Sequence, residues 1–177
     1  VRAAAGANAA AVAEHALALL LACAKSVVGL NARMHDGHWD KATHKSLELA
    51  GRTIGLVGMG AIGRRFARMC DAMDMAVIAF DPYARQWPAF VRAVDLATIW
   101  READAISLHC PLTAESRHMI NAETLARCRR GVVLVNTARG CIVDEAALDK
   151  LLTEKKLAGA AMDVLADEPG PASDPVV

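Results

Sequence analysis

Gly58-Met59-Gly60-Ala61-Ile62-Gly63 follows directly on the apolar run Thr53 to Val57 and opens into a helical period. In that context the three glycines have separate duties. Gly58 permits a tight turn, Gly60 lets a pyrophosphate approach the backbone, and Gly63 lets helix and strand pack closely. Ala61 and Ile62 lie between them, where a helix N-terminus offers free amides and a positive dipole end. A carboxylate about 20 positions further on should accept bonds from ribose hydroxyls, and Asp81 stands 18 residues after Gly63. Such a carboxylate repels a 2′-phosphate, so these residues favour NAD over NADP. Arg64, Arg65 and Arg85 are the groups that would reach a 2′-phosphate if one were bound.

These residues need a scaffold, and the hydrophobic pattern supplies one. Short apolar runs predict strands at Thr53 to Val57, Ala76 to Phe80, Ala105 to His109, Val132 to Asn136 and Gly159 to Val164, with a weaker one at Val91 to Val94. Between the first two, Ile62, Phe66, Met69, Cys70 and Met73 make one apolar helix face; Ala147, Leu148, Leu151 and Leu152 make another. Asn121 and Asp144 stand where helix N-caps belong. Continuously apolar strands separated by amphipathic helices mean a parallel sheet covered on both sides, a doubly wound α/β domain of the Rossmann type. Ahead of it, Asn8 to Ala32 predicts one long helix whose Ala and Leu positions cover nearly the whole circumference. A helix buried all round points to a second subunit lying against it, hence a homodimer. His35 to Ala50 then reads as an irregular connector.

Composition narrows the partners. The chain has 177 residues, 54% of them hydrophobic and 23% charged, so it has ample material for a core. Twenty basic residues balance twenty acidic ones, and Trp39, Trp87 and Trp100 are scattered, so nothing points to nucleic acid or an anionic membrane. Cys23, Cys70, Cys110, Cys128 and Cys141 are odd in number with no C-x-x-C pair, against a disulfide framework or a metal site and in keeping with a reducing cytoplasm. The run Ala16 to Ala24 is too short to cross a bilayer, and Glu14 beside it is wrong for a signal peptide. The first residue is Val1 rather than Met, which suggests further residues upstream.

Five blocks, in order, resemble the D-isomer-specific 2-hydroxyacid dehydrogenases, which include phosphoglycerate dehydrogenase. They are Asn8 to His15, Gly58 to Gly63, Ser107-Leu108-His109-Cys110-Pro111-Leu112-Thr113, Val135-Asn136-Thr137-Ala138-Arg139-Gly140, and Asp163-Val164 followed by Glu168-Pro169. The resemblance implies a hydride passed between NAD and a small 2-hydroxy or 2-oxo acid. It makes Arg139 the guanidinium that grips the substrate carboxylate and polarises the C2 oxygen. Glu168, 29 residues after Arg139, becomes the carboxylate that orients a catalytic histidine. His109, Cys110 and Pro111 would line the adenosine side, with Thr137, Ala138, Arg139 and Asp163 along the nicotinamide edge. Cys110 and Cys141 have no positioned base, and hydride transfer needs no covalent intermediate, so both are expected to pack rather than react.

In one respect the chain departs from the family. The histidine lies in a Pro-His block beyond the last strand, and no histidine here occupies that position. Residues 1–50 are therefore expected to form the leading helix and connector, 51–166 the Rossmann core, and 167–177 the start of a return to a substrate domain. Such a segment should bind NAD without turning over an acid. The alternative is an NAD-sensing protein like the family's corepressors. Formate dehydrogenase is disfavoured, because it pairs its histidine with a glutamine where Glu168 stands.

Overall fold

In the computed structural model, which describes residues 6–168, six strands form one wholly parallel sheet in the order β3-β2-β1-β4-β5-β6. They are β1 (Thr53–Val57), β2 (Ala76–Phe80), β3 (Val91–Ala93), β4 (Ala105–Leu108), β5 (Val132–Asn136) and β6 (Leu157–Met162). The helices are α1 (Ala9–Ala24), α2 (Val27–His35), α3 (Ala61–Asp71), α4 (Leu96–Glu102), α5 (Ala122–Arg127) and α6 (Glu145–Thr153). Residue alternation along the strands divides the core. Ile54, Leu56, Val77, Ala79, Ala105, Val133 and Val135 face α1 and α3, while Ile78, Ile106, Leu108 and Leu134 face the layer of α4, α5 and α6. Both faces are covered, which is why β4 and β5 are buried at every position.

Two glycines let helices approach the sheet closely. A Cβ on Gly55 would lie 2.7 Å from the Ile99 side chain in α4, and one on Gly159 would lie 2.4 Å from the Cys23 sulfur in α1. The expected caps are formed: the Asn121 side chain accepts from the Glu123 and Thr124 amides, and Asp144 accepts from the Ala147 amide.

The leading helix differs from its expectation. It is not one helix buried all round but two, bent by 57° about Ser26, whose φ of +53° breaks the ladder. α1 buries a single stripe, Ala9, Ala13, Ala16, Leu20 and Ala24, against α3, β5 and β6. α2 buries nothing, because beyond Lys25 the chain has no further core to lie on. The Lys25 ammonium and the Ala24 carbonyl instead bond the backbone of Leu47 and hold the connector in place. Among the described residues no single helix is long and apolar enough to cross a membrane; only the bent α1 and α2 pair passes on length and composition.

β6 also differs, running Leu157–Met162 rather than Gly159 to Val164. Its small residues Ala158, Gly159, Ala160 and Ala161 carry little strand propensity, and the pairing of the last three with β5, past a bulge at Ala158, decides the register. Residues 169–177, most of the segment expected to return to another domain, lie outside the described residues.

Candidate functional site

The register of the sheet gathers the chemistry. Val57 pairs with Phe80 and Leu108, Leu108 with Asn136, and Asn136 with Met162, so five strands end on one line. The first residue beyond each strand is Gly58, Asp81, His109, Thr137 and Asp163 respectively. All five are residues singled out in the sequence, and they share the carboxyl edge where open parallel sheets bind ligands.

The glycine turn fits a pyrophosphate on its own geometry. Gly58 has φ +104°, and a Cβ there would meet the His109 carbonyl oxygen at 2.6 Å. A Cβ on Gly63 would lie 2.2 Å from the Gly58 carbonyl oxygen, so the helix can start this close to the turn only without one. Around Gly60 there is open space, with nothing within 4 Å of a built Cβ, and the first-turn amides of α3 have no partner within the helix. A dinucleotide phosphate fits where the backbone is both bare and rich in donors. Ala61, exposed, and Ile62, half-buried, begin α3 at this point.

Asp81 does more than the motif predicts. Its Oδ2 accepts from the Met59 amide and its Oδ1 from the Tyr83 amide, each at 2.8 Å, tying the glycine turn to the segment after β2. It lines an open pocket of about 370 Å³ together with Met59, Gly60, Arg64, Tyr83 and Arg85.

His109 lies beneath the turn. Its ring packs on Phe66 of α3 with centroids 5.1 Å apart, and Nε2 shares a 3.0 Å hydrogen bond with the Ser107 hydroxyl, which is wholly buried. Nδ1 is buried without a partner among the described residues. Burial lowers the imidazole from its ordinary 6.5 to about 4, so it is neutral at pH 7. Between those values the unfolded chain binds a proton that the folded one refuses. The stability so gained is complete above about pH 6.5 and is lost as pH falls toward 4, at most about 3 kcal/mol. Urea titrations at pH 7.5 and 4.5 should show the wild type losing about 2 kcal/mol more than His109→Gln; equal losses would refute the assignment.

Beside His109, burial and the charge of Asp81 raise the Cys110 thiol, which stays protonated and half-buried, a packing residue rather than a nucleophile. Pro111 is exposed beyond it, and its carbonyl accepts from the Ser116 hydroxyl.

On the other half of the edge, buried Asn136 organises the loop after β5. Its Oδ1 accepts from the Ala138 amide and its Nδ2 donates to the Arg139 carbonyl, both at 3.0 Å. Ala138 is thereby buried and Arg139 exposed, its guanidinium donating to the Ala138 carbonyl at 2.6 Å. The Thr137 hydroxyl is buried with no partner among the described residues, an orphan donor just beyond the end of β5. Gly140 presses this loop onto the one after β6, since a Cβ there would overlap the Leu165 carbonyl carbon at 1.9 Å. That second loop is clipped by Glu168, which accepts from the Leu165 amide, and by Glu145, which accepts from the Ala166 amide. Asp163 lies one residue beyond β6 rather than within it, and its carboxylate bonds His15 of α1 at 3.0 Å.

Sequence reasoning missed Ser107, Asn136 and His15 as partners of site residues. A polar residue at the last position of an otherwise apolar strand, as at Asn136, was the available signal. The His15 and Asp163 pair joins residues 148 positions apart, and nothing local marks it.

Comparison with known proteins places this edge in context. Residues 17–177 match the family model described as D-isomer specific 2-hydroxyacid dehydrogenase, NAD binding domain. The chain is 43% identical over 164 residues to the hydroxypyruvate reductase of Thermotoga maritima, covering 93% of this chain and 54% of that protein. With the D-3-phosphoglycerate dehydrogenase of Archaeoglobus fulgidus it shares 37% identity over 175 residues, covering 97% of this chain and 33% of that one. A crystal structure of the NAD-dependent formate dehydrogenase of Staphylococcus aureus in complex with NAD superposes with a TM-score of 0.90 at 32% identity, over 96% of this chain and 53% of that one. The chain thus spans about a third to a half of the length of the curated relatives it matches.

Proposed function

Because the chain belongs to the D-isomer-specific 2-hydroxyacid dehydrogenase family, as its NAD-binding domain, we propose that it holds NAD along the carboxyl edge of the sheet for interconversion of a 2-hydroxy acid and its 2-oxo partner. The observation that carries this is the alignment of Gly58, Asp81, His109, Thr137 and Asp163 as the first residues beyond five strands ending in register. The glycine turn and α3 receive the pyrophosphate, Asp81 the adenosine ribose, and the Thr137 to Arg139 loop with Asp163 the nicotinamide end. Bound there, NAD supplies the hydride acceptor or donor for substrate C2.

The rest is done by protein groups. Exposed Arg139 binds the substrate carboxylate and draws charge toward the C2 oxygen, and the close contact of Gly140 with the Leu165 backbone fixes the loop that carries it. Glu168, on the loop after β6 where it accepts from the Leu165 amide, would orient a proton carrier from the substrate domain. Residues 167–177 would lead toward that domain. Nothing favours the NAD-sensing corepressor alternative.

This reading places the protein in the cytoplasm, where its five unpaired cysteines stay reduced. It also makes it a homodimer, supported by the apolar side chains that α2 and the connector leave exposed: Val27 at 53%, Val28 at 73%, Met34 at 56% and Trp39 at 72%.

Titration of NADH fluorescence against this chain should give saturable one-site binding. The full-length protein should then oxidise NADH with one of glyoxylate, hydroxypyruvate, pyruvate or 3-phosphohydroxypyruvate. Binding without turnover of any 2-oxo acid by the full-length protein would move the assignment to a sensor.

A further inference from the structure

The first of the five sequence blocks, Asn8 to His15, runs into α1 beside the carboxyl edge of the sheet. A Cβ on Gly6, just ahead of α1, would lie 3.7 Å from the Ala61 side chain at the start of α3, so the two helices begin together. From the second turn of α1, His15 reaches the residue just beyond β6, and its Nε2 bonds Oδ1 of Asp163 at 3.0 Å. An Nε2 facing a carboxylate must carry its proton, so His15 is the donor.

Neither segment needs this bond to stay in place. α1 is fastened by its buried stripe of Ala9, Ala13, Ala16, Leu20 and Ala24 against α3, β5 and β6. The Asp163 backbone is fixed by its own amide, which donates to the Asn136 carbonyl at 3.0 Å. Both side chains of the pair are half-exposed, where such a contact contributes little to stability. What the bond fixes is the rotamer of Asp163. It occupies one carboxylate oxygen, and Oδ2 has no partner among the described residues.

We propose, on the reading that NAD lies along this edge with its nicotinamide beside Asp163, that His15 is a positioning residue. By holding Oδ1 it presents Oδ2 to the nicotinamide carboxamide, whose N–H donates to it. Turning the nicotinamide ring over about its glycosidic bond moves the carboxamide to the other side. An acceptor fixed in one place therefore also fixes which ring face meets the substrate. Without His15 the carboxylate turns about two side-chain torsions in contact with water, and the carboxamide must order it on binding.

The contact is read with 3-acetylpyridine adenine dinucleotide, in which a methyl ketone replaces the amide and no N–H remains to donate. Calorimetric titrations of the full-length protein with NAD and with this analogue give a ratio of dissociation constants for each variant. The wild type should bind NAD about tenfold more tightly than the analogue. His15→Leu should bring the two to within about twofold, by weakening NAD and leaving the analogue unchanged. His15→Gln, whose amide nitrogen can stand where Nε2 does, should keep most of the preference. A merely structural role would weaken both dinucleotides alike. Melting temperatures should stay close to that of the wild type, because the pair is half-exposed. The proposal is overturned if His15→Leu keeps the wild-type ratio, whether or not both affinities fall, or if His15→Gln loses the preference as fully as His15→Leu. A wild type that binds NAD no better than the analogue overturns the carboxamide contact and the role of His15 with it. Binding of neither dinucleotide overturns the assignment of the cofactor edge on which the proposal rests.

Discussion

Arg139→Ala in the full-length enzyme is expected to lower kcat/KM for its 2-oxo acid by about 10² to 10³-fold, with NADH affinity falling by less than about tenfold. The guanidinium is exposed at the carboxyl edge, and its backbone is held from behind by the Asn136 side chain. Its one hydrogen bond among the described residues, to the Ala138 carbonyl, is a neutral contact that a substrate carboxylate displaces at small cost. Under the proposed function, removing it takes away the group that both grips the acid and polarises the bond being reduced. Arg139→Lys should recover little, because a single ammonium cannot hold a carboxylate bidentately while facing the C2 oxygen. Steady-state kinetics with a parallel NADH titration decide the matter. A loss confined to NADH affinity would make Arg139 a cofactor residue alone.

The second large effect separates two glycines of one motif. Gly63→Ala places a methyl group 2.2 Å from the Gly58 carbonyl oxygen, so either the turn or the start of α3 must move. Such overpacking costs about 1–3 kcal/mol of stability, and the displaced amides should weaken NADH binding by about 100-fold. Gly60→Ala is different. Its φ of −71° suits alanine, and nothing lies within 4 Å of the new methyl group. Stability should therefore hold or rise slightly, while NADH binding still weakens by about tenfold or more because the methyl group occupies the path of the pyrophosphate. Thermal melts and NADH titrations on the two variants test the pair. If Gly60→Ala bound NADH as tightly as the wild type, the open space before α3 would not be the phosphate site.

Much of this architecture was legible in the residues. The strands Thr53–Val57, Ala76–Phe80 and Val132–Asn136 coincide with their apolar runs, because a strand buried on both faces must be continuously apolar and is bounded where that run stops. Caps at Asn121 and Asp144 were equally local, since a side chain reaching an amide two or three residues on needs no tertiary partner. Where expectation failed, the deciding contact was distant. α1 showed apolar residues round its circumference but buries one stripe, because α3 and the sheet offer only one surface to lie on. β6 was misplaced by two residues at each end, because its alanines and glycine become a strand only by pairing with β5 and by admitting Cys23 against Gly159.

By itself, the sequence determined the sheet's covered strands, the glycine turn with its acidic partner, and the family those blocks belong to. Each of these rests on side chains and backbone within a short stretch of chain. Tertiary structure alone decided that Asp81 is held by two amides, that Arg64 and Arg85 but not Arg65 share its pocket, that His109 is enclosed and neutral, and that Asp163 meets His15. Those are relations between segments that meet only when the strands align in register, and burial or pairing energies arise only once they have met.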